Sequence, residues 1–120
     1  MNPQATFVGF IALVVAATAL GAQNALRVPP RFQGIWLQNL KSCAEPGEGY
    51  FRLSEREVIG YESKGPIKAL VVRGNELALI AEMSGEGETW LSVDLFELSQ
   101  DGKTLVDKQS YPPITRFRCP

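Results

Sequence analysis

Few side chains in this sequence could perform acid–base or nucleophilic chemistry. The chain has no histidine and only two cysteines. A Ser or Thr nucleophile would need Lys as its base, and no G-x-S-x-G turn is present to hold one. No carboxylate pair stands in an apolar, motif-like context that would raise a pKa. We therefore expect a protein that is not an enzyme, has no catalytic or metal-binding residues and carries no cofactor.

One short segment, 84–90, has the composition of a binding loop. Its two glycines let the backbone turn freely, while Glu82, Glu86 and Glu88 concentrate negative charge. Trp90 is of a residue type enriched at the energetic centres of interfaces. Such a loop would suit a basic cleft on another protein, but an ordinary hairpin turn with Trp90 in the core remains an alternative. The predicted loop comprises Ser84, Gly85, Glu86, Gly87, Glu88 and Trp90.

The overall charge makes some partners improbable on physical grounds. The sequence has 12 basic and 13 acidic residues, giving a net charge of −1. Nucleic-acid-binding proteins usually carry a basic stripe and a high pI. We therefore expect no nucleic-acid partner, and a monomer or a weak dimer in solution.

The N-terminal residues resemble a cleavable export signal. Residues 7–22 are uncharged, and as a helix they would span about 24 Å, less than a hydrocarbon core of about 30 Å. The run ends in small residues that permit cleavage after Gly21 or Ala22. We therefore predict a signal helix over 1–22 and a periplasmic or secreted protein. Because no Lys or Arg precedes Arg27, an uncleaved membrane anchor remains the alternative.

The cysteines Cys43 and Cys119 are expected to form a disulfide. An even number of cysteines in an exported chain is typical of such a bridge. A zinc site is excluded because two cysteines without histidine cannot complete its ligand set. The bridge would restrict the unfolded chain by roughly 4 kcal/mol. Two separate buried thiols are the alternative.

The mature chain reads as an extended lead-in followed by one all-β domain. Pro29 and Pro30 favour an extended arm over 23–31, and the domain occupies 32–120. Turn signals at Gly74-Asn75, 64–66, 84–87 and Asp101-Gly102 separate short β-rich runs. We predict a compact antiparallel up-and-down barrel of about eight strands. The predicted strands are 32–38, 50–54, 57–63, 66–73, 76–83, 88–98, 103–108 and 114–119.

Two of these runs, 69–72 and 77–81, are apolar on both faces. A strand buried on both sides needs cover beyond one side of a barrel wall. A second sheet, the N-terminal arm or another subunit could supply it. A barrel wall with a few exposed aliphatic side chains is the other possibility.

The opening Phe32-Gln33-Gly34-Ile35-Trp36 resembles the G-x-W signature of lipocalin-like (calycin) barrels. The resemblance implies that Trp36, two residues after Gly34, closes one barrel end and that a basic residue near the C-terminus stacks over its ring. Arg116 and Arg118 are the two candidates, and a guanidinium over an indole contributes roughly 0.5–2 kcal/mol.

The domain is shorter than a lipocalin and more similar to compact barrels that bacteria export as enzyme inhibitors. The metalloprotease-inhibitor family has a G-x-W strand followed by a cysteine, here Trp36 and Cys43, and blocks its target with an N-terminal arm. The c-type lysozyme-inhibitor family has an S-G-x-x-Y-like loop whose Ser and Tyr enter the target's cleft. The segment 84–90 loosely resembles it, with Trp90 in place of Tyr and a different spacing.

These features lead us to expect a binding module that caps or inhibits another exported protein, such as a hydrolase. A carrier of small hydrophobic ligands and a membrane-tethered structural protein of the envelope are the alternatives. A tightly filled barrel interior would speak against the carrier.

Overall fold

The computed structural model describes residues 26–120, so the predicted signal peptide and residues 23–25 lie outside the described part. Eight antiparallel strands form a closed barrel in which each strand pairs with its neighbours in sequence and β8 pairs with β1. The all-β, eight-stranded prediction is confirmed. The strands are β1 (Gly34–Leu37), β2 (Phe51–Leu53), β3 (Glu57–Gly60), β4 (Ser63–Arg73), β5 (Glu76–Gly85), β6 (Glu88–Leu98), β7 (Thr104–Asp107) and β8 (Ile114–Arg118).

Short 3₁₀ helices complete the described elements, at Pro30–Phe32, Leu40–Cys43 and Gly47–Gly49. Over residues 26–120 no helix has the length and apolarity needed to cross a membrane.

The hairpin turns explain most of the strand boundaries. The two-residue turn at Gly74-Asn75 lies between β4 and β5 as predicted, with Gly74 at a positive φ of 58°. The turn predicted at 64–66 is wrong, because β4 runs through these residues and the chain turns earlier, at Tyr61-Glu62. Gly65 allows two backbones to approach closely instead, since a Cβ there would overlap the Glu82 carbonyl oxygen.

The barrel has two ends of different construction. The segment 26–33 and the connections β2–β3, β4–β5 and β6–β7 lie at one end, which we call the plugged end. The connections β1–β2, β3–β4, β5–β6 and β7–β8 leave from the other, which we call the distal end. The long strands β4, β5 and β6 form the tallest part of the wall, and the β5–β6 turn stands at its distal tip.

Large apolar side chains fill the barrel interior. They come from the lead-in and from strands around the whole barrel, and the largest of them are fully buried. Along β6 the mixed face points inward, because Ala81 and Met83 opposite it are buried, while the aliphatic face points to solvent. The largest fully buried side chains are Trp36, Phe32, Phe96, Leu37, Leu53, Leu77, Leu105 and Val28.

The predicted disulfide joins Cys43 to Cys119, which are 76 positions apart. The backbone N–H of Cys119 also donates to the carbonyl oxygen of Ile35, at 2.9 Å. The bridge therefore ties the β1–β2 connection to the C-terminal end of β8.

Candidate functional site

Trp36 and Arg118 form the centre of the plugged end. The indole of Trp36 is completely buried, and its Nε1–H donates to the Phe32 carbonyl oxygen at 2.9 Å. The Arg118 guanidinium carbon lies 4.2 Å from the centroid of the Trp36 ring. Arg116 stacks elsewhere, 4.7 Å from the centroid of Phe51. Of the two arginines considered as the stacking partner, Arg118 therefore occupies that position.

The Arg118 guanidinium also holds three chain segments together. It donates to the carbonyl oxygens of Gly102 at 2.9 Å, Gln33 at 2.6 Å and Arg31 at 2.5 Å. Gly34 makes room for it, because a Cβ at this residue would lie only 2.9 Å from Nη1, and its φ of +141° favours glycine. These contacts join β8, the lead-in and the β6–β7 connection.

The described part of the lead-in, 26–31, is built into the barrel. Val28 is buried and its N–H donates to the Glu55 carbonyl oxygen at 2.9 Å, while Arg31 donates to the Gly74 carbonyl oxygen at 2.6 Å. The predicted extended conformation gives way to a 3₁₀ turn at Pro30–Phe32, because proline is well tolerated at the first position of a helix. The segment closes the plugged end, which leaves the distal end as the candidate binding surface.

At the distal end, two hairpin turns carry unusual backbone conformations. Glu62 in the β3–β4 turn has φ of 55° and Glu86 in the β5–β6 turn has φ of 51°. Within 26–120 they are the two non-glycine residues with positive φ, a conformation that costs roughly 1 kcal/mol or more for such a side chain. Because Gly87 also has positive φ, the β5–β6 connection has the form of a type I′ turn.

The two turns pack against each other and enclose a cleft. A Cβ at Gly85 would lie 2.5 Å from the Glu62 carbonyl oxygen, so glycine permits this approach. The cleft has a volume of about 240 Å³. Trp90 is 42% exposed and Tyr61 is 48% exposed, which places Trp90 outside the core. The cleft residues are Tyr61, Glu62, Ser63, Gly85, Glu86, Glu88 and Trp90.

The cleft combines three carboxylates with two aromatic rings. A lysine or arginine side chain entering it would meet opposite charge and the faces or edges of aromatic rings. The arrangement is suited to holding a cationic side chain of a partner.

The structure adds Tyr61 and Glu62 to the loop predicted over 84–90. The sequence pattern places both residues inside the predicted strand 57–63, with the turn at 64–66, so it does not bring them to the loop. Gly60, directly before Tyr61, is the one local signal for the actual turn. The predicted Ser84 lies on the outer side of β5, opposite Thr89, and Gly87 lies at the tip of the turn.

A further aromatic residue stands at the distal end. Tyr111, in the β7–β8 connection, is 98% exposed and precedes Pro112-Pro113. Among residues 26–120, the exposed aromatic residues are Tyr61 and Trp90, each a little under half exposed, and Tyr111, and all three belong to this end. Large exposed aromatic residues concentrated on one face are typical of interaction sites.

The interior near the distal end holds two carboxylates and a guanidinium. Arg116 Nη1 lies 3.8 Å from Asp107 Oδ2, and the Ser92 hydroxyl donates to Asp94 Oδ2 at 3.1 Å. Asp107 Oδ1 also accepts from the Gln109 N–H at 3.0 Å. All three ionisable groups belong to neighbouring strands, β6 to β8.

Burial raises the pKa of Asp94, and the negative charge of Asp107 raises it further, against the opposing effects of Ser92 and Arg116. Burial also lowers the pKa of Arg116, although both carboxylates oppose this. The sequence shows no carboxylate pair in a context that would raise a pKa, whereas the fold buries Asp94 and brings Asp107 close enough to raise its pKa further. The three strands bring together residues whose proximity is not visible in the sequence.

The described residues, 26–120, contain no group of three or more potential ligands from His, Cys, Asp and Glu that could hold a metal ion. Comparison of the chain with protein-family models, with curated proteins and with solved structures finds no match.

Proposed function

We propose that this protein is an exported binding module that recognises another exported protein, a hydrolase, through the distal end of its barrel. It acts by occupying its partner's surface rather than by catalysis. The observation that carries the proposal is the concentration of exposed aromatic residues at this end, two of them beside a cleft with three carboxylates.

The charge of the cleft indicates the kind of partner. Glu62, Glu86 and Glu88 would attract a basic surface, and Trp90 would supply contact area at low entropic cost. The positive φ of Glu62 and Glu86 supports a functional role, because asparagine or glycine would adopt the same conformation with less strain.

The resemblance to exported lipocalin-like inhibitors is part of the proposal. Of the two inhibitory modes, the structure favours insertion of a loop over insertion of an N-terminal arm. Residues 26–33 are held in the plugged end by Val28, Arg31 and Arg118, whereas the 84–90 hairpin projects at the distal tip.

The proposed location is the periplasm or the extracellular medium, reached by cleavage of the signal over 1–22. The Cys43–Cys119 disulfide supports it, because such bridges persist in oxidising compartments. No observation favours the carrier alternative, since large side chains such as Trp36, Phe32 and Phe96 fill the interior.

The proposal is tested by affinity capture from the exported proteins of the source cell. The protein, purified after export of the full chain, should retain one hydrolase in a stoichiometric complex and reduce that enzyme's activity. Glu86→Lys and Glu88→Lys should each weaken capture at least tenfold, because each places a cation in a cleft suited to cations.

The matched control is Glu55→Lys, which makes the same change of charge at the plugged end, where the Glu55 side chain is about half exposed. It should capture the hydrolase as the unmodified protein does. Equal capture by all three variants, or no captured hydrolase, would contradict the proposal.

A further inference from the structure

We propose that the outer face of β4, β5 and β6 is a self-association surface, on which a second copy of this chain packs face to face. The two-fold axis of this dimer runs parallel to the strands. The inference is independent of the distal cleft and follows from the strand register of the barrel wall.

The ladder pairs define two complete rows of apolar side chains on the outside of the barrel. Adjacent strands contribute one residue each to a row, and the rows are consecutive along the strands. Leu91 extends the surface beyond the second row. The first row is Val71, Ala78 and Leu95, and the second is Ala69, Ile80 and Val93.

These rows, with Leu91, form what we call the outer patch, and much of it is exposed to solvent. Leu91 is 65% exposed, Val71 57% and Val93 52%. A shallow groove of about 330 Å³ runs over both rows. The described part of the lead-in, 26–31, makes its hydrogen bonds at the plugged end and not on the outer patch. Exposed aliphatic side chains in this number form a patch on the order of a few hundred Å², a size associated with interaction sites.

The position of the apolar rows determines how a second copy can bind. The barrel is closed, but the ladder of β4 with β3 covers only 63–66 and that of β6 with β7 only 96–98, so parts of both long strands have no second strand partner. The apolar side chains project from the outer face of the sheet rather than along these edges, so sheet-on-sheet packing with interdigitating side chains is the mode that buries them.

Charges bordering the patch select the direction of the axis. The row next to Val71 is Arg73 on β4, Glu76 on β5 and Glu97 on β6. An axis parallel to the strands and centred on β5 places β4 of each copy over β6 of the other. Arg73 of each copy then lies near Glu97 of the second copy.

The row is also balanced in charge. The Lys108 ammonium pairs with Glu97 within each chain, and both side chains are substantially exposed. The two copies together bring four cations, from Arg73 and Lys108, and four anions, from Glu76 and Glu97. The negative charges of the two Glu76 side chains near the axis are therefore balanced by neighbouring positive charges. An axis perpendicular to the strands would instead superpose β4 on β4 and lose the Arg73–Glu97 contacts.

The size of the patch sets the strength of the dimer. Stable interfaces bury about 800 Å² on each partner, more than the outer patch offers. The expected dimer is therefore weak, with a dissociation constant on the order of 10–500 µM. In a dimer of this symmetry both distal ends point in the same direction, so the two clefts would act bivalently, a consequence that rests on the proposed function.

Sedimentation velocity from about 10 µM to 1 mM, with no partner present, tests the inference. The mean mass should rise with concentration from monomer toward dimer. Arg73→Glu and Glu97→Arg should each raise the dissociation constant at least tenfold, because like charges then face each other across the interface.

An equimolar mixture of the two variants should associate again, to within about threefold of the unmodified protein. In the mixed dimer, the carboxylate introduced by Arg73→Glu in one chain faces the guanidinium introduced by Glu97→Arg in the other, so opposite charges meet again. The mixture contains the same two folded proteins that fail to self-associate separately, so a folding defect cannot imitate this result. Arg52→Glu, on the exposed face of β2 across the barrel, is the matched control and should leave the dissociation constant unchanged.

A protein that stays monomeric at 1 mM overturns the inference. A dimer that neither charge reversal weakens, or a mixture that remains monomeric, overturns it as well. Because no partner is present in these measurements, each result leaves the function proposed for the distal cleft untouched.

Discussion

The two tryptophans, Trp36 and Trp90, have different environments in the barrel and therefore different expected roles. Trp36 is completely buried, donates a hydrogen bond to the Phe32 carbonyl oxygen and lies beneath Arg118, whereas Trp90 is 42% exposed beside the acidic cleft. Trp36→Ala should reduce the free energy of unfolding by about 3–5 kcal/mol, because it leaves a cavity and an unfilled plug. Trp90→Ala should reduce it by less than about 1 kcal/mol. Urea unfolding of both variants checks the contrast, and equal losses would contradict the assigned roles.

Replacing Asp94 should stabilise the fold, in contrast to the tryptophan substitutions, because it removes a buried charge. Its pKa is raised in the folded state by burial and by Asp107, so the folded protein binds the proton more tightly than the unfolded chain, whose pKa is about 3.9. Stability therefore falls as the pH rises from about 4 through the folded-state pKa. Asp94→Asn should be more stable than the unmodified protein at neutral pH, by a margin that shrinks toward pH 3.

Asp101 is the control for Asp94, because its pKa is shifted in the opposite direction. The Ser99 hydroxyl donates to its carboxylate at 2.6 Å, and this hydrogen bond, with that from the Lys103 N–H, lowers the pKa of Asp101. Its stabilising effect is present above about pH 4 and lost in acid, so Asp101→Asn should lose stability at neutral pH. Urea unfolding at pH 3, 5 and 7 distinguishes the two variants. A destabilised Asp94→Asn at pH 7 would show that its burial is not a net cost.

At the scale of elements, the β5–β6 turn carries a glutamate in a backbone conformation that lowers the stability of the fold. Glu86 occupies a left-handed position that asparagine adopts more easily, and the variant Glu86→Asn would create the Asn-Gly pair preferred in type I′ turns. We expect it to raise the free energy of unfolding by about 0.5–1 kcal/mol and to weaken partner capture. Thermal unfolding and capture, measured on the same preparation, check both effects. A variant that is more stable and binds equally well would remove Glu86 from the binding surface.

The accuracy of sequence-based prediction also differs from element to element. Local chemistry was sufficient for the Gly74-Asn75 turn and for the eight-strand barrel, because turn residues and alternation act over a few positions. Gly65 and Pro66 misled because glycine marks close backbone approach as well as turns, and a proline facing solvent is tolerated in a strand. Only the folded register decides between these uses of glycine.

The candidate site was only partly predictable, because local sequence signals mark single segments and not the contacts between strands. The acidic loop with Trp90 was visible as a local cluster, whereas its contact with Tyr61 and Glu62 depends on the pairing of β4 with β5. The interior group of Asp94, Asp107 and Arg116 joins three strands and had no local signature. The choice of Arg118 over Arg116 required the register of β8 against β1.

At the scale of the whole molecule, the disulfide should supply a large share of the stability. A barrel of this size has a small core, and the Cys43–Cys119 bridge closes a loop of 76 positions. The double variant Cys43→Ser with Cys119→Ser should lose roughly 4 kcal/mol of unfolding free energy, since its unfolded chain regains the entropy of an open loop. Urea unfolding measures the loss, and a value below about 1 kcal/mol would contradict the account.

Under the proposed function, the two ends of the molecule have different roles, one structural and the other in binding a partner. Arg118, Trp36 and the lead-in close the plugged end, and the acidic aromatic cleft lies at the other. This division is the central claim of the account. Its consequence is that charge changes should affect partner binding at the distal end and not at the plugged end.

The most direct measurement is quantitative capture of the proposed partner, an exported hydrolase, by the unmodified protein, by a Glu86→Lys, Glu88→Lys, Trp90→Ala variant and by Glu55→Lys. The account predicts a stoichiometric complex with the unmodified protein and with Glu55→Lys, and loss of that complex with the triple variant while its fold is retained. Undiminished capture by the triple variant, or equal loss with Glu55→Lys, would contradict recognition through the distal cleft.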